Sequence, residues 1–254
     1  LAKLSNFIPE AGIWMNTLRP EWNDANNALV GYGTSMVTLY YLHRFLLFVK
    51  QLYQAANENT FAVSMEVATF FINVNNAFTK FQPILPNGFN NSTRKELTDK
   101  LGEAGENYRN SVYGKPSNKK VALQKDGILK FIDLTLSYIT QSVKVNKRAD
   151  KLYNAYNLIS FSENSISIRN LYEMLEGQVA VLSSGILSSE EAVELLNALR
   201  NSKLYRPDQQ SYILYPNKQL PTFLEKNNIP ENIVKSNKIL RTFVETGDTA
   251  IIAK

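Results

Sequence analysis

The chain has no cysteine and one histidine, His43, among its 254 residues. The missing thiols exclude disulfides, thiolate metal sites and a cysteine nucleophile. One imidazole excludes a histidine-based metal cluster and leaves a Ser-His-Asp triad a single possible base. His43 sits inside an apolar helical run, where a partnered core histidine is the expected reading. No run reaches the ~20 apolar residues a membrane helix needs. The nearest, Met36 to Val49, is broken by His43-Arg44, and no signal peptide is recognisable. Basic residues are not concentrated: the net charge is +5, and the densest clusters, Lys119-Lys120 and Lys144 to Lys151, are short. A nucleic-acid surface would want a basic stripe interleaved with aromatics. Gly31-Tyr32-Gly33 lacks both a preceding strand and a third glycine, so it is not a dinucleotide loop, and no phosphate-loop lysine follows Gly185. The expectations are therefore no metal, no cofactor, no nucleic acid and no membrane. A cysteine-free chain fits cytoplasm and periplasm equally, so localisation stays open between them.

What is present is ordinary globular material, 44% apolar and 20% charged, arranged mainly with helical periodicity. Thr34 to Gln54 is apolar on nearly every face, which predicts a buried helix. Phe61 to Phe81 predicts a second helix, ended by Pro83 and the Pro86-Asn87-Gly88 turn. Thr93 to Glu96 reads as a capping box opening a helix to about Asn110, and Gly127 to Val145 as an amphipathic helix. Ser165 to Ile168 alternates as a short strand or an extended lead-in would. Leu171 to Leu182 is an apolar helix stopped by Ser183-Ser184-Gly185. Ser188 to Glu191 is a second capping box, opening a helix to Arg200. Leu204 to Leu220 is extended, and helices follow at Pro221 to Lys226 and from Pro230 to about Val244. Seven to nine helices, paired at hairpin spacing and without a convincing sheet, predict an all-α fold in one helical domain over residues 1–254. The chain starts at Leu1 and stops without a capping element, so it is expected to be a fragment, with the remainder of a larger parent chain as a partner.

Chemistry concentrates in Glu21 to Asn27. Two carboxylates, a tryptophan and three asparagines in seven positions suit a site that holds a polar, ring-shaped ligand. Glu21 and Asp24 share a helical face, and paired carboxylates can divide acid and base roles. A plain helix start, with acids favoured by the macrodipole, explains the same spacing. Glu176-Gly177-Gln178 places a carboxylate and an amide around a glycine that permits close approach of a ligand or another backbone. Tyr205 to Tyr212 is an aromatic, hydrogen-bond-rich loop that could line a pocket or buttress one.

Glu21-Trp22-Asn23-Asp24 followed by Asn26-Asn27 resembles the acid-Trp-Asn-Asp segment of cellobiose and chitobiose phosphorylases, members of the six-hairpin, or (α/α)6-barrel, glycosidase superfamily. Glu176 to Gly185 is similar to their Gln-Ser-Trp-Ala-Val segment. The whole chain is also similar to the C-terminal half of a group of large bacterial six-hairpin proteins. The resemblance implies helical hairpins forming part of an (α/α)6 toroid, incomplete because twelve helices are needed. It implies a carbohydrate-active enzyme acting on an oligosaccharide or polysaccharide by an inverting, general-acid mechanism. Glu21 matches the proton donor. Asp24 competes, because Trp22-Asn23-Asp24-Ala25 is similar to the Trp-x-Asp-Ala of the glucosidase part of glycogen-debranching enzymes. Glu176 is the base if water attacks. Trp22, Asn23, Asn26, Asn27 and Gln178 would bind the sugar, with Tyr205 and Arg206 assigned alongside them as candidate pocket residues. The phosphorylases' phosphate-binding histidine has no counterpart, which favours hydrolysis over phosphorolysis. The alternative is a non-catalytic helical binding or scaffolding module.

Overall fold

A computed structural model describes residues 1–17 and 24–249, without the side chains of residues 24–26. Two compact units are present, Leu1–Pro216 and Asn217–Lys254.

The first unit is mixed α/β. Its strands β1 (Phe7–Ile8), β2 (Gly12–Trp14), β3 (Gly33–Ser35), β6 (Tyr156–Phe161) and β7 (Ile166–Asn170) pair antiparallel in the order β1-β2-β3-β6-β7, as a curled half-barrel. This corrects the expectation of an all-α six-hairpin toroid. Three of the five strands are only two or three residues long, too short to alternate visibly, and their edges are built by glycine. Gly12, at φ +116°, lies against β3 so closely that a Cβ would stand 2.7 Å from the Ser35 carbonyl oxygen. β-structure here comes from long-range pairing, which no local period reports.

The helices lie largely between β3 and β6. A short α1 (Asp24–Leu29) precedes β3. Then follow α2 (Met36–Ala55), strand β4 (Thr60–Ser64), α3 (Met65–Phe81), α4 (Asn91–Tyr113), β5 (Lys120–Gln124) and α5 (Lys125–Val145). β4 and β5 form a separate two-stranded ribbon. The expected helix over Phe61 to Phe81 therefore begins later: the β-branched and aromatic Thr60-Phe61-Ala62-Val63 pairs as strand, and the Ser64 hydroxyl caps α3 by accepting from the Val67 amide. Likewise α4 is capped by Asn90, whose Oδ1 accepts from the amides of Ser92 and Thr93, and not by a box at Thr93. After β7 come α6 (Leu175–Ser183), α7 (Ser189–Arg200), with the expected Ser188/Glu191 capping box, and the hairpin β8 (Tyr205–Arg206) and β9 (Ser211–Tyr212).

Strand alternation splits the sheet between two cores. Phe7 and Ile13 point into the main core, with Met36, Leu39 and Tyr40 of α2, Phe70, Val74 and Phe78 of α3, Leu97 and Leu101 of α4, and Phe131, Ile132 and Tyr138 of α5. Ile8 points the other way, onto Ala11, Ile159 and Ile166. Between them lies a buried ion pair. Arg94 Nη2 donates to Glu10 Oε2 at 2.6 Å and to the Phe89 carbonyl. Its Nε donates to the Pro9 carbonyl, and its Nη1 donates to Asn91 Oδ1 and the Ile166 carbonyl. Glu10 Oε1 accepts from the Phe89 amide and Gln141 Nε2. One guanidinium thereby joins the β1–β2 turn, α4 and β7, and Glu10 extends the network to α5. Glu10 holds φ +66° to do so, a conformation that costs a non-glycine residue free energy and persists only where its surroundings fix it.

α2 departs from expectation on one face. Its inner side is fully buried at Met36, Leu39 and Tyr40, while Tyr41, Phe45, Phe48 and Leu52 stand exposed on the outer side. No helix among the described residues is long and apolar enough to cross a membrane.

The second unit holds α8 (Phe223–Lys226), α9 (Glu231–Ser236) and α10 (Lys238–Thr246). Asn237 divides what the sequence predicts as one last helix. Its Oδ1 accepts from the amides of Ile239 and Leu240 and so restarts the chain as α10.

Candidate functional site

Among the described candidate residues, Glu176 lines a cavity. The cavity is about 350 Å³ and is lined by Val37 and Tyr41 of α2, Tyr156 of β6, Leu175, Glu176 and Val179 of α6, and Leu214. Glu176 lies in the first turn of α6, where the exposed amides of a helix start favour a carboxylate. The Tyr156 hydroxyl donates to Glu176 Oε2 at 2.5 Å. Tyr156 is buried, so its phenol anchors one oxygen of the Glu176 carboxylate at the cavity wall. The Leu175 amide donates to the Leu214 carbonyl, which ties the chain after β9 to the same helix start.

The local sequence explains this placement. Gly177 abuts Ala155: a Cβ on residue 177 would lie 3.0 Å from the Ala155 Cα, Cβ and N. Glycine therefore lets α6 dock directly on the chain entering β6, and that docking puts Glu176 beside Tyr156. The close approach allowed by this glycine is to another backbone, not to a ligand. Gln178 completes the joint. It is fully buried; its Oε1 accepts from the Tyr153 amide, and its Nε2 donates to the carbonyls of Tyr153 and Met174. Its amide is spent on backbone and does not line the cavity.

The Glu21 to Asn27 segment is only partly visible. Glu21, Trp22 and Asn23 lie outside the described residues. Asp24 and Asn26 belong to the backbone of α1, their side chains also outside what is described, and Asn27 is exposed. α1 nevertheless ends at the same corner: Leu29 packs in one buried cluster with Ala155, Tyr156 and Met174. The end of α1 and the start of α6 thus both border β6. Tyr205 and Arg206 are not brought in. Tyr205 packs under the Arg200 guanidinium, 3.6 Å from its ring centroid, and against Tyr212. Arg206 pairs with Asp208 at 2.8 Å, closing its own hairpin. Sequence reasoning missed Tyr156 and Tyr41. The Tyr156 to Phe161 run carried a strand signal that was readable; nothing in the sequence marked Tyr41 as cavity wall.

His43 is a core residue. Its Nδ1 donates to the Ser184 carbonyl at 2.9 Å, and burial pulls its pKa below 6.5, with the carbonyl bond opposing. Among the described residues no group of three or more potential ligands is placed to hold a metal ion.

Residues 220–254 match the family model described as GH149 phosphorylase insertion domain 2. The C-terminal unit is therefore similar to a segment of a glycoside phosphorylase family, which relates the chain to carbohydrate-active phosphorylases. The match does not extend to Glu176 or its cavity. No curated protein matches the chain.

Proposed function

We propose that the chain is part of a carbohydrate-active enzyme that breaks a glycosidic bond by inversion with one general acid. In this reading Glu21, or Asp24 three residues on, protonates the leaving oxygen. Trp22 offers a face to the sugar ring, and Asn23, Asn26 and Asn27 bind hydroxyls. The observation that carries the sugar chemistry is the match at residues 220–254. Support for the site is that α1 and the Tyr156–Glu176 pair meet around one buried cluster.

The match favours phosphorolysis. Phosphate then attacks the anomeric carbon without a protein base, and Glu176 holds a substrate hydroxyl. Hydrolysis is the second reading, favoured by His43: the one imidazole is bonded to the Ser184 carbonyl in the core, so it does not serve an incoming phosphate. Glu176 would then order water, and inversion would require it about 6.5–9.5 Å from the acid.

Incubation with cello-, laminari- and chito-oligosaccharides, with and without inorganic phosphate, separates these readings. Phosphate-dependent release of a sugar 1-phosphate establishes phosphorolysis. Reducing sugar released without phosphate establishes hydrolysis. No turnover together with sugar-induced thermal stabilisation that Glu176→Gln abolishes leaves a binding module, and no response of any kind refutes the proposal.

A further inference from the structure

Apart from Tyr41, which lines the Glu176 cavity, the outer face of α2 has no role in the core or in the chemistry above. Tyr41 is 45% exposed, Phe45 57%, Phe48 54% and Leu52 54%. Their spacing of four, three and four residues, followed by Ala55 after three more, is the a/d spacing of a helix–helix seam. Aromatic residues aligned in this way on an exposed helix mark an interaction surface. The seam begins at the cavity, because Tyr41 lines it.

We propose that this seam pairs with the same seam of a second copy of the chain, the two α2 helices running antiparallel about a two-fold axis between residues 45 and 48. The spacing is its own complement in that arrangement. Tyr41 meets Leu52 of the second copy, Phe45 meets Phe48, and all four side chains are used on both sides, as an isologous contact requires. The flanks agree. Arg44 and Gln51 border the seam on one edge, and neither makes a side-chain hydrogen bond or ion pair among the described residues. Antiparallel pairing sets the Arg44 guanidinium beside the Gln51 amide twice, whereas parallel pairing would set Arg44 across from Val49 of the second copy. Only the antiparallel form gives each guanidinium a side-chain acceptor, the Gln51 Oε1.

The area sets the strength. Four large side chains, each about half exposed, remove roughly 100 Å² apiece from water, so the seam contributes about 800 Å² over both copies. Rim residues bring the total towards the low end of specific interfaces, about 1,200 Å². The association is therefore weak and reversible. It sets the second copy's Leu52 against Tyr41, at the edge of the Glu176 cavity.

Sedimentation velocity on the intact chain across about 1–500 µM tests this, a range chosen for micromolar dissociation constants. The expected result is a concentration-dependent shift from monomer to dimer. Phe45→Asp/Phe48→Asp abolishes the shift, with unchanged far-UV circular dichroism. Gln51→Glu gives Arg44 an acid in the second copy at both ends and tightens the dimer several-fold. A chain that stays monomeric throughout overturns the proposal. So does a dimer that survives the aspartates, or one that Gln51→Glu does not tighten, as parallel pairing would give.

Discussion

Arg94→Met is the perturbation that most directly tests how the first unit is held together. It removes the cation from a buried carboxylate whose partner atoms are at hydrogen-bond distance, with Arg94 5% and Glu10 8% exposed. It also strands the carbonyls of Pro9, Phe89 and Ile166. Breaking one side of a buried pair costs about 3–5 kcal/mol, mostly as an uncompensated charge. That is a large part of the ~5–15 kcal/mol that holds a typical native protein. At roughly 2–4 °C per kcal/mol for a domain of this size, Tm falls by about 6–20 °C. Glu10→Met alone costs comparably, because the guanidinium is then the unpaired ion. The double variant loses both charges together, so its cost falls short of the sum of the single costs by more than 1 kcal/mol, a coupling typical of residues in one network. It does not become neutral, because the three carbonyls remain without a donor. Urea denaturation followed by circular dichroism gives the cycle. Additive single costs, or an Arg94→Met cost below about 1 kcal/mol, would refute the argument that this guanidinium joins the sheet to the helices.

Other expectations follow from the same contacts. Gly177→Ala gains about 1 kcal/mol of helix propensity but presses a methyl onto Ala155, an overpacking that costs about 1–3 kcal/mol; the net outcome is a lower urea midpoint and weaker sugar binding, because Glu176 moves with α6. His43 is neutral in the fold with its pKa lowered, so below about pH 6.5 the unfolded chain takes up a proton the native chain resists. Stability therefore declines as pH falls through that value, and His43→Gln flattens the slope in pH-dependent melts. Glu66 accepts from both the amide and the hydroxyl of Ser117, which pulls its pKa from 4.5 to about 2. Its contribution is complete above pH 4.5 and fades towards pH 2, so Ser117→Ala shifts the acid-unfolding midpoint upward. Tyr156→Phe leaves the fold intact, removes the donor to Glu176 Oε2, and lowers turnover by about 10-fold or more if the carboxylate acts in the transition state; a merely structural acid would leave turnover unchanged.

The helices that were readable are those with a cap or a breaker in the sequence. Ser188 to Glu191 announces α7, and Pro83 with Gly88 closes α3. The half-barrel was not readable, because Phe7–Ile8, Gly12–Trp14 and Gly33–Ser35 gain their structure from one another and from β6, more than 100 residues away. α2 misled for a different reason. An apolar residue on every face says that every face wants cover, not that each has it, and Tyr41, Phe45, Phe48 and Leu52 mark the face left open. The buried Glu10–Arg94 pair carried no local signal, since its members are 84 residues apart.

The Glu176-Gly177-Gln178 segment shows why composition alone cannot separate a site from its support. Three adjacent residues looked equally suited to a ligand, and the helix sorts them by angle. At about 100° per residue, Glu176 faces the cavity while Gly177 and Gln178 turn into the joint with Ala155 and Tyr153. The joint needs both of its residues: glycine so the backbones can touch, and an amide because the Tyr153 and Met174 groups it satisfies are out of reach of water. An amide and a glycine beside an acid are thus as much the signature of a helix seated directly on a strand as of a sugar subsite. The side chain distinguished here is the carboxylate, which the joint does not need and which Tyr156 nonetheless holds in place at the cavity wall.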